Sequence, residues 1–264
     1  KDRHLSVIAL EAGKAGASRQ LQAESLQLVA AEADPKLPKA VFANEPGFTV
    51  DAASVVLKSE GKTLRLPKGD VAFDQPFADG WPRMHREVES ERLLANIHGT
   101  FYEVPFWIVG QAPLYTKMKP VCTHNKRIRD FATWSGLLAL SGIKADASAG
   151  EHVVKSADGK TALWLGGIDD LWQLGKPVGH GGPWKATAVK AGQPSDPYLM
   201  NGYDKKSLVL KADQDCAIAM EVDFDLVSGF HPCQYFLLKA GEERTYEFPD
   251  GFAAHWVRFV ADHD

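Results

Sequence analysis

The sequence is short of the features that identify several large protein classes. It has no run of about 18 apolar residues, so it predicts no transmembrane helix. Its formal net charge is only −4 at pH 7, so no global field attracts nucleic acid or an anionic membrane. The patterns GxxxxGK(S/T), GxGxxG, HExxH and GxSxG are absent, as is an EF-hand loop. We therefore expect no nucleic-acid or membrane partner and no simple nucleotide, zinc-protease or serine-hydrolase site, while enzymes with residues on separate strands stay open.

Cysteine is also scarce, with three residues and no CxxC pair. At most one disulfide can form, and Cys216 and Cys233 are the candidates for it. Three unrelated buried thiols, the third being Cys122, are the preferred interpretation.

Turn-forming residues, in contrast, are plentiful. Fifteen prolines and 23 glycines are spread along the chain, which suits many short strands and turns. The stretch RLLANIHGTFYEVP (Arg92–Pro105) is typical of two strands around a His98-Gly99 turn. The one plausible helix is Ser18–Ala33, and its alternating pattern fits a strand as well. The sequence therefore predicts an all-β fold.

The hairpin pattern recurs along the chain. Ser54–Gly69 and Thr161–Lys176 repeat the order strand, turn, strand, the second with its turn near Asp169-Asp170, and Trp134–Gly142 is a glycine-bounded apolar strand. Hairpins recurring every ~35–45 residues are typical of β-propeller blades. The alternative is a chance resemblance among hairpins. Under the propeller hypothesis several aromatic residues occupy core strand positions: Phe101, Tyr102, Trp164 and Trp172.

The C-terminal part has a different pattern. From about Ser207 onward, five segments alternate apolar and polar residues and are separated by short polar turns, which predicts a β-sandwich-like module. The sequence thus divides into an unassigned N-terminal segment (1–52), propeller-like blades (53–178), a long connecting or functional loop (179–206) and a C-terminal β-module (207–264).

The most concentrated polar stretch is THNKRIRD, followed by FATWSG, in which Trp134 is the aromatic residue. Arginine binds carboxylates bidentately, so Arg127 and Arg129 suit uronic acids or sulfated sugars. A histidine near neutral pKa can act as a general base, and His124 is the main catalytic candidate, with Tyr102 as the acid. On a strand, His124 and Lys126 would face the same way. The alternative is a solvated turn in which Asp130 pairs with an arginine.

A second cationic patch, WPRMHREVESER, contains His85 and Arg86, and Arg86 is a further substrate-binding candidate. If the blades are real, His85, His98 and His124 come from neighbouring blades and could converge on a divalent metal. Their spacing gives this idea no support, and ordinary hydrogen-bonded histidines are preferred. No cofactor is required by the sequence.

The segment from Val178 to Lys206 lacks clear strand periodicity and is too long for a simple connection. Its flat side chains suit stacking on pyranose rings, and Asp196 and Lys185 could bond sugar hydroxyls. The stacking candidates are His180, Trp184, Tyr198 and Tyr203. Alternatively, the loop ties the blades to the C-terminal module and its aromatic residues pack between them.

Several runs together resemble a group of large β-propeller proteins of carbohydrate-degrading bacteria: HGTFYEVP, KPVCTHNKRIRDFATWSGLLALSG, ALWLGGIDDLWQLGKP, GGPWKATAVKAGQPSDPYLMNGYDKKSL and EFPDGFAAHWVRF. This group is similar in kind to propeller-fold glycoside hydrolases and polysaccharide lyases. The resemblance covers roughly Ala53 to the C-terminus. It implies a periplasmic or extracellular protein with an oligosaccharide partner, but it carries no catalytic role over to a particular residue.

A complete propeller usually closes with four to eight blades, and only three or four fit here. The resemblance therefore implies the C-terminal half of a propeller, completed by an upstream segment or a second chain. The chain opens KDRHLSVIAL, without an initiator methionine or a signal-peptide core. We expect that a leader or an upstream domain has been removed.

Two functional hypotheses follow. The first is a glycoside hydrolase or polysaccharide lyase acting on anionic or decorated oligosaccharides. In a lyase, a cation would neutralise the uronate while His124 or His98 removes the proton at carbon 5. The second is a non-catalytic carbohydrate-binding or protein-interaction propeller. An enzyme requires His98, His124 or Tyr102 to share one pocket with Arg86 or Arg127, whereas a scaffold would spread them along the rim.

Overall fold

A computed structural model of the chain describes residues 6–12, 26–33, 47–59, 61–77, 84–88, 92–105, 113–134, 136–144, 146, 150–224 and 228–264. Within these residues the regular structure is β-strands and short 3₁₀-helices, so the all-β prediction is confirmed. The 3₁₀-helices are Val71–Phe73, Tyr115–Lys117 and Ile168–Leu174. The strands are β1 Ser6–Ala12, β2 Leu26–Ala33, β3 Phe48–Val50, β4 Val55–Ser59, β5 Lys62–Leu66, β6 His85–Val88, β7 Arg92–Ile97, β8 Thr100–Val104, β9 Lys119–Thr123, β10 Phe131–Trp134, β11 Leu137–Ile143, β12 Val153–Lys155, β13 Ala162–Gly166, β14 Tyr198–Leu199, β15 Ser207–Lys211, β16 Cys216–Asp223, β17 His231–Leu238, β18 Glu243–Glu247 and β19 Trp256–Ala261.

The chain forms two compact units, and each is assembled from separate segments. The first unit contains residues 1–45, 75–113 and 121–176. The second contains residues 46–74, 114–120 and 177–264. The predicted division into consecutive segments differs from this arrangement, because the hairpin of β4 and β5 belongs to the same unit as the C-terminal strands.

The first unit holds two four-stranded sheets and the β1-β2 pair. One sheet has the consecutive order β6-β7-β8-β9, which is the order expected in a propeller blade. The other has the order β10-β11-β13-β12, so its last two strands are exchanged. None of the sheets seen in the described residues is closed, and their assignment to propeller blades stays a prediction.

The core of the first unit lies where the strands and the helix Ile168–Leu174 present apolar side chains. Phe101, Phe131 and Leu138 are buried there together with Leu171. The rings of Phe101 and Phe131 meet edge to face at 5.3 Å between centroids, a favoured aromatic geometry. Ile128, in the polar segment between β9 and β10, is also buried in this core and anchors the segment there.

The prediction that Thr161–Lys176 forms a hairpin is wrong for its second strand. β13 ends at Gly166, and the DLWQL segment continues as the 3₁₀-helix Ile168–Leu174 rather than as a strand. Asp170 caps this helix by accepting a hydrogen bond from the Gly167 N–H at 2.6 Å. The apolar residues Ile168, Leu171 and Leu174 recur every third position, which is the period of a 3₁₀-helix, and all three pack on the core.

The second unit is built on a seven-stranded sheet with the order β17-β16-β19-β14-β5-β4-β3 and a separate β15-β18 pair. All five strands expected in the C-terminal part are present. Alternate residues of β16, β17 and β19 point to one core, as in Met220, Phe236 and Phe259. Leu210 of β15 joins the same core, so the two sheets pack face to face.

The three cysteines are free thiols. Cys216 pairs with Leu238 at one end of the antiparallel β16-β17 pair, and Cys233 lies near the other end of β17. The disulfide considered from the sequence therefore does not form. Cys122 is buried as expected, and its burial raises the pKa of the thiol to about 12. Cys216 is half-buried and Cys233 is exposed, so the expectation of three buried thiols holds for Cys122 but is wrong for the other two.

The structure describes part of the segment proposed as a possible helix. Leu26–Ala33 is a strand, paired antiparallel with Ser6–Ala12. The remainder of that segment, residues 18–25, lies outside the described residues. No helix in the described ranges is long and apolar enough to cross a membrane.

Candidate functional site

His124 is the centre of a buried polar network at the end of β9. Its side chain is 5% exposed. The Lys126 backbone N–H donates to Nδ1 at 2.9 Å, so the ring proton is on Nε2, which donates to Oδ1 of Asn96 at 3.0 Å. Burial, followed by the nearby positive charge of Lys126, lowers the pKa of His124 to about 3. The imidazole is therefore neutral, and both of its nitrogens are engaged within the protein.

The network extends to the β7-β8 turn. The Gly99 carbonyl oxygen accepts hydrogen bonds from the backbone N–H groups of His124, at 2.8 Å, and Asn125, at 3.1 Å. The hydroxyls of Thr100 and Thr123 are hydrogen-bonded at 3.0 Å. His98 and Asn125 both have positive φ values, 52° and 46°, which are uncommon for residues other than glycine. Strained backbone of this kind is retained where surrounding contacts determine it, and here it fixes the start of the following segment.

The three predicted catalytic side chains all lie inside the first unit. Tyr102 is 0% exposed and His98 is 2% exposed, comparable to His124. A general base needs a lone pair within hydrogen-bond reach of a substrate proton. None of the three side chains presents one at the surface, and a catalytic role for them stays a prediction.

The residues that follow His124 are displayed to solvent. Asn125, Lys126 and Arg127 are exposed, whereas Ile128 is buried and Arg129 is half-buried. The predicted strand geometry, with His124 and Lys126 on the same face, is wrong, because the left-handed Asn125 breaks the alternation. The sequence motif THNKRIRD is thus divided between an internal histidine and an external cationic loop, which we define as residues 125–127.

Arg127 and Arg129 share one aromatic support. Their guanidinium carbons lie 4.5 Å and 5.2 Å from the centroid of the Phe77 ring. Stacking of this type uses the face of the guanidinium, and its N–H donors lie in the plane of the group. Two arginines are therefore held close together on one ring, and the exposed Lys126 directly precedes Arg127 in the chain.

Trp172 is a surface residue that the sequence analysis placed in the core. It is 68% exposed, so that prediction is wrong, whereas Phe101, Tyr102 and Trp164 are buried as expected. Trp172 follows Leu171 in the 3₁₀-helix, and Leu171 is completely buried. The three-residue apolar period of Ile168, Leu171 and Leu174 is the sequence signal that would have placed Trp172 on the outer side.

The residue that follows the 3₁₀-helix meets the end of β9 in the first unit. Gly175, directly after the helix, lies against the backbone of Thr123, directly before His124. A Cβ atom at Gly175 would be only 2.5 Å from the Thr123 carbonyl oxygen. Glycine is therefore needed at this position for the two segments to meet.

The predicted binding residues of the long loop lie in the second unit, where they pack on its core or form hydrogen bonds with the β4-β5 hairpin and its neighbouring residues. Trp184 and Tyr198 pack on the core, and the Trp184 ring is 6.0 Å from that of Phe259. Asp196 accepts a hydrogen bond from Nε of Arg65 at 2.9 Å. His180 is exposed, and its backbone is paired with that of Lys68.

The same arginine joins the loop to the β4-β5 hairpin. Nη1 of Arg65 donates to Asp51 at 2.7 Å. Burial raises the pKa of Asp51, but hydrogen bonds from Arg65 and from the N–H groups of Ser54 and Ala53 outweigh it, and the net pKa is lowered. With the bond from Arg65 to Asp196, these contacts hold the loop against the β4-β5 hairpin within the second unit.

For three other predicted site residues, the structure describes the backbone only. His85 and Arg86 are on β6, opposite Ala95 and Leu94, and Trp134 ends β10. Their side chains lie outside what the structure describes. Across the described residues, no group of three or more His, Cys, Asp or Glu side chains could hold a metal ion.

Comparison with known proteins adds no relative. No protein-family model, curated protein sequence or solved structure matches this chain.

Proposed function

We propose that this protein is a non-catalytic binding module for anionic oligosaccharides, with the cationic loop as its contact surface. The proposal takes the second of the two hypotheses raised by the sequence. The observation that carries it is the division of the polar motif, in which His124 is buried and fully hydrogen-bonded while Lys126 and Arg127 are exposed.

The chemistry of His124 favours binding over catalysis. A general base works best with a pKa near the operating pH, and burial lowers that of His124 to about 3. Its hydrogen bonds instead hold the Asn96 side chain and the Lys126 backbone in place. A loop fixed in this way loses little conformational entropy when it binds a ligand, which favours affinity.

The loop has the charge needed for an acidic ligand. Lys126 provides a point charge, and Arg127 provides a planar group that matches carboxylate geometry. The Phe77 ring under Arg127 and Arg129 limits the freedom of both guanidinium groups. Because the cations are exposed, we expect binding to weaken as salt increases.

The test is calorimetric titration of the intact protein with oligogalacturonates and with neutral galacto-oligosaccharides of the same length. We expect binding of the acidic series only, and a loss of about tenfold or more in affinity for the Lys126→Ala/Arg127→Ala variant. Lys239→Ala, at an exposed cation of the second unit, is the matched control and should bind like wild type.

Prolonged incubation with the same oligosaccharides distinguishes binding from turnover. Unsaturated uronates, detected by their ultraviolet absorbance, or new reducing ends would overturn the non-catalytic assignment. Absence of binding to the acidic series by the wild-type protein would overturn the proposed ligand class.

A further inference from the structure

In the part of the chain that the structure describes, β17 forms one edge of the seven-stranded sheet and β3 forms the other. We infer that the β17 edge is a self-association surface, where the β17 strands of two copies of this chain pair antiparallel across a two-fold axis at Phe236. Such pairing is independent of the proposed function, because β17 belongs to the second unit and the cationic loop to the first.

The register of the sheet shows which backbone groups of β17 point outward. The Ala217 N–H of β16 donates to Oδ1 of Asp262, and the Asp262 N–H donates to the Ala217 carbonyl oxygen. Both groups of Ala217 are thus directed away from Leu237, the residue opposite it on β17. Because these directions alternate along an antiparallel pair, Phe236 bonds to β16, whereas Tyr235 and Leu237 direct their N–H and C=O groups to the outer edge.

The side chains at the same two positions are apolar and exposed. Tyr235 is 63% exposed and Leu237 is 73% exposed, whereas Phe236 between them is buried in the core of the second unit. Both exposed side chains therefore lie at the edge of the sheet, on the face turned away from that core. A strand added to this edge would gain side-chain contacts as well as backbone hydrogen bonds.

Only the beginning of β17 has features by which edge strands avoid association. Pro232 has no N–H, and the register with β16 shifts between Pro232 and Gln234. From Gln234 to Leu238 the sequence QYFLL contains neither proline nor a charged residue. Nη1 of Arg244 donates to the Leu237 carbonyl oxygen at 3.4 Å, a long hydrogen bond that a partner strand can replace.

A second copy of β17 is complementary to this edge. In antiparallel pairing centred on Phe236, Tyr235 of one protomer lies opposite Leu237 of the other, and the reverse holds across the axis. Residues paired in this way exchange two backbone hydrogen bonds, so the outward groups of both positions find partners. An aromatic side chain opposite an aliphatic one is favourable, and no like charges face each other. The two-fold axis closes the assembly at a dimer.

Sedimentation velocity of the intact protein tests the association. Because strand pairing at one edge buries a small area, we expect monomer at about 5 µM and a growing dimer fraction towards about 500 µM. Tyr235→Lys and Leu237→Lys should each weaken the dimer about tenfold or more, because each variant places an ammonium group against an apolar side chain. Val209→Lys is the matched control, since Val209 is 56% exposed on β15 of the same unit, and it should dimerise like wild type. Thermal unfolding at low concentration checks that the variants fold.

Disulfide trapping tests the register. In a Cys233→Ser background, Tyr235→Cys and Leu237→Cys proteins are oxidised separately and as a mixture. Directly opposite residues have Cα atoms about 5.5 Å apart, within the range of a disulfide. Positions displaced by two residues are about 7–8 Å apart, so the mixed disulfide should form faster than either homodimeric one.

The outcomes decide between this dimer and the other uses of the edge. Wild-type protein that stays monomeric at all concentrations would overturn the inference and leave the edge to a strand of a different protein. Equal weakening by Val209→Lys would overturn it too, because the effect would not be local to β17. Growth into larger oligomers would also contradict it, since pairing of β17 with β3 of another copy does not close.

Discussion

At the scale of single residues, His124 shows how burial changes the role of a reactive side chain. In the sequence it is surrounded by cations and polar groups, which suggests a catalytic histidine. In the structure its ring contacts Phe101 at 5.0 Å between centroids, and its nitrogens bind Asn96 and Lys126. Under the proposed function, this residue positions the cationic loop instead of meeting a ligand itself.

This role predicts a pH-dependent stability. The pKa of His124 is lowered in the folded state from 6.5 to about 3, so the unfolded state binds a proton first as the pH falls. The stabilisation is fully present above pH 6.5 and is lost progressively below it, by at most about 1.4 kcal/mol per pH unit. Denaturant unfolding of wild type and His124→Gln between pH 7.5 and 4.5 checks this. We expect a steeper decline in wild type, and parallel curves would contradict the assignment.

At the scale of elements, the junction between the end of the 3₁₀-helix Ile168–Leu174 and the end of β9 depends on the close approach of Gly175 to Thr123. Gly175→Ala should destabilise the first unit by roughly 2 kcal/mol or more, because the new Cβ meets a carbonyl oxygen and φ is 148°. Gly159→Ala is the control: φ is 67°, but nothing lies within 4 Å of the added atom. That variant should cost only about 1 kcal/mol. Chemical denaturation compares them, and equal losses would show that the Thr123 contact is unimportant.

Strands with one buried face were predictable from the sequence, while the elements of the site were not. Alternation in CAIAMEVD and WVRFVA identified β16 and β19 because each has one face on the core. The helix Ile168–Leu174 was mistaken for a strand because a short apolar segment fits both periods. The direction of His124 depended on the positive φ of Asn125, which no periodicity reveals.

At the scale of the whole molecule, the second unit depends on strands that are distant in sequence. β14 pairs in parallel with β5, and the Arg65 N–H donates to the Pro197 carbonyl at 2.9 Å. Val55 and Leu57 of the adjoining strand are completely buried. The C-terminal segment alone therefore lacks three strands of its own sheet, β3, β4 and β5.

We expect the fragment 177–264 not to unfold cooperatively by itself. Addition of a peptide covering residues 46–74 should restore a cooperative transition, because it supplies β3, β4 and β5. Circular dichroism during thermal denaturation, with and without the peptide, measures this. A peptide of the same composition in scrambled order is the control. A cooperative transition of the fragment alone would show that the hairpin is dispensable.

Because each unit is built from segments that are separate in sequence, strands that pair in the second unit are synthesised at different times. The hairpin of residues 46–74 leaves the ribosome well before β14, with which β5 pairs. At ~5–20 residues per second, the nascent β5 edge waits on the order of ten seconds for its neighbour. During that interval an unpaired strand edge is open to association with other chains. Translation speed and chaperone occupancy, rather than final stability alone, would then govern how much soluble protein a cell obtains.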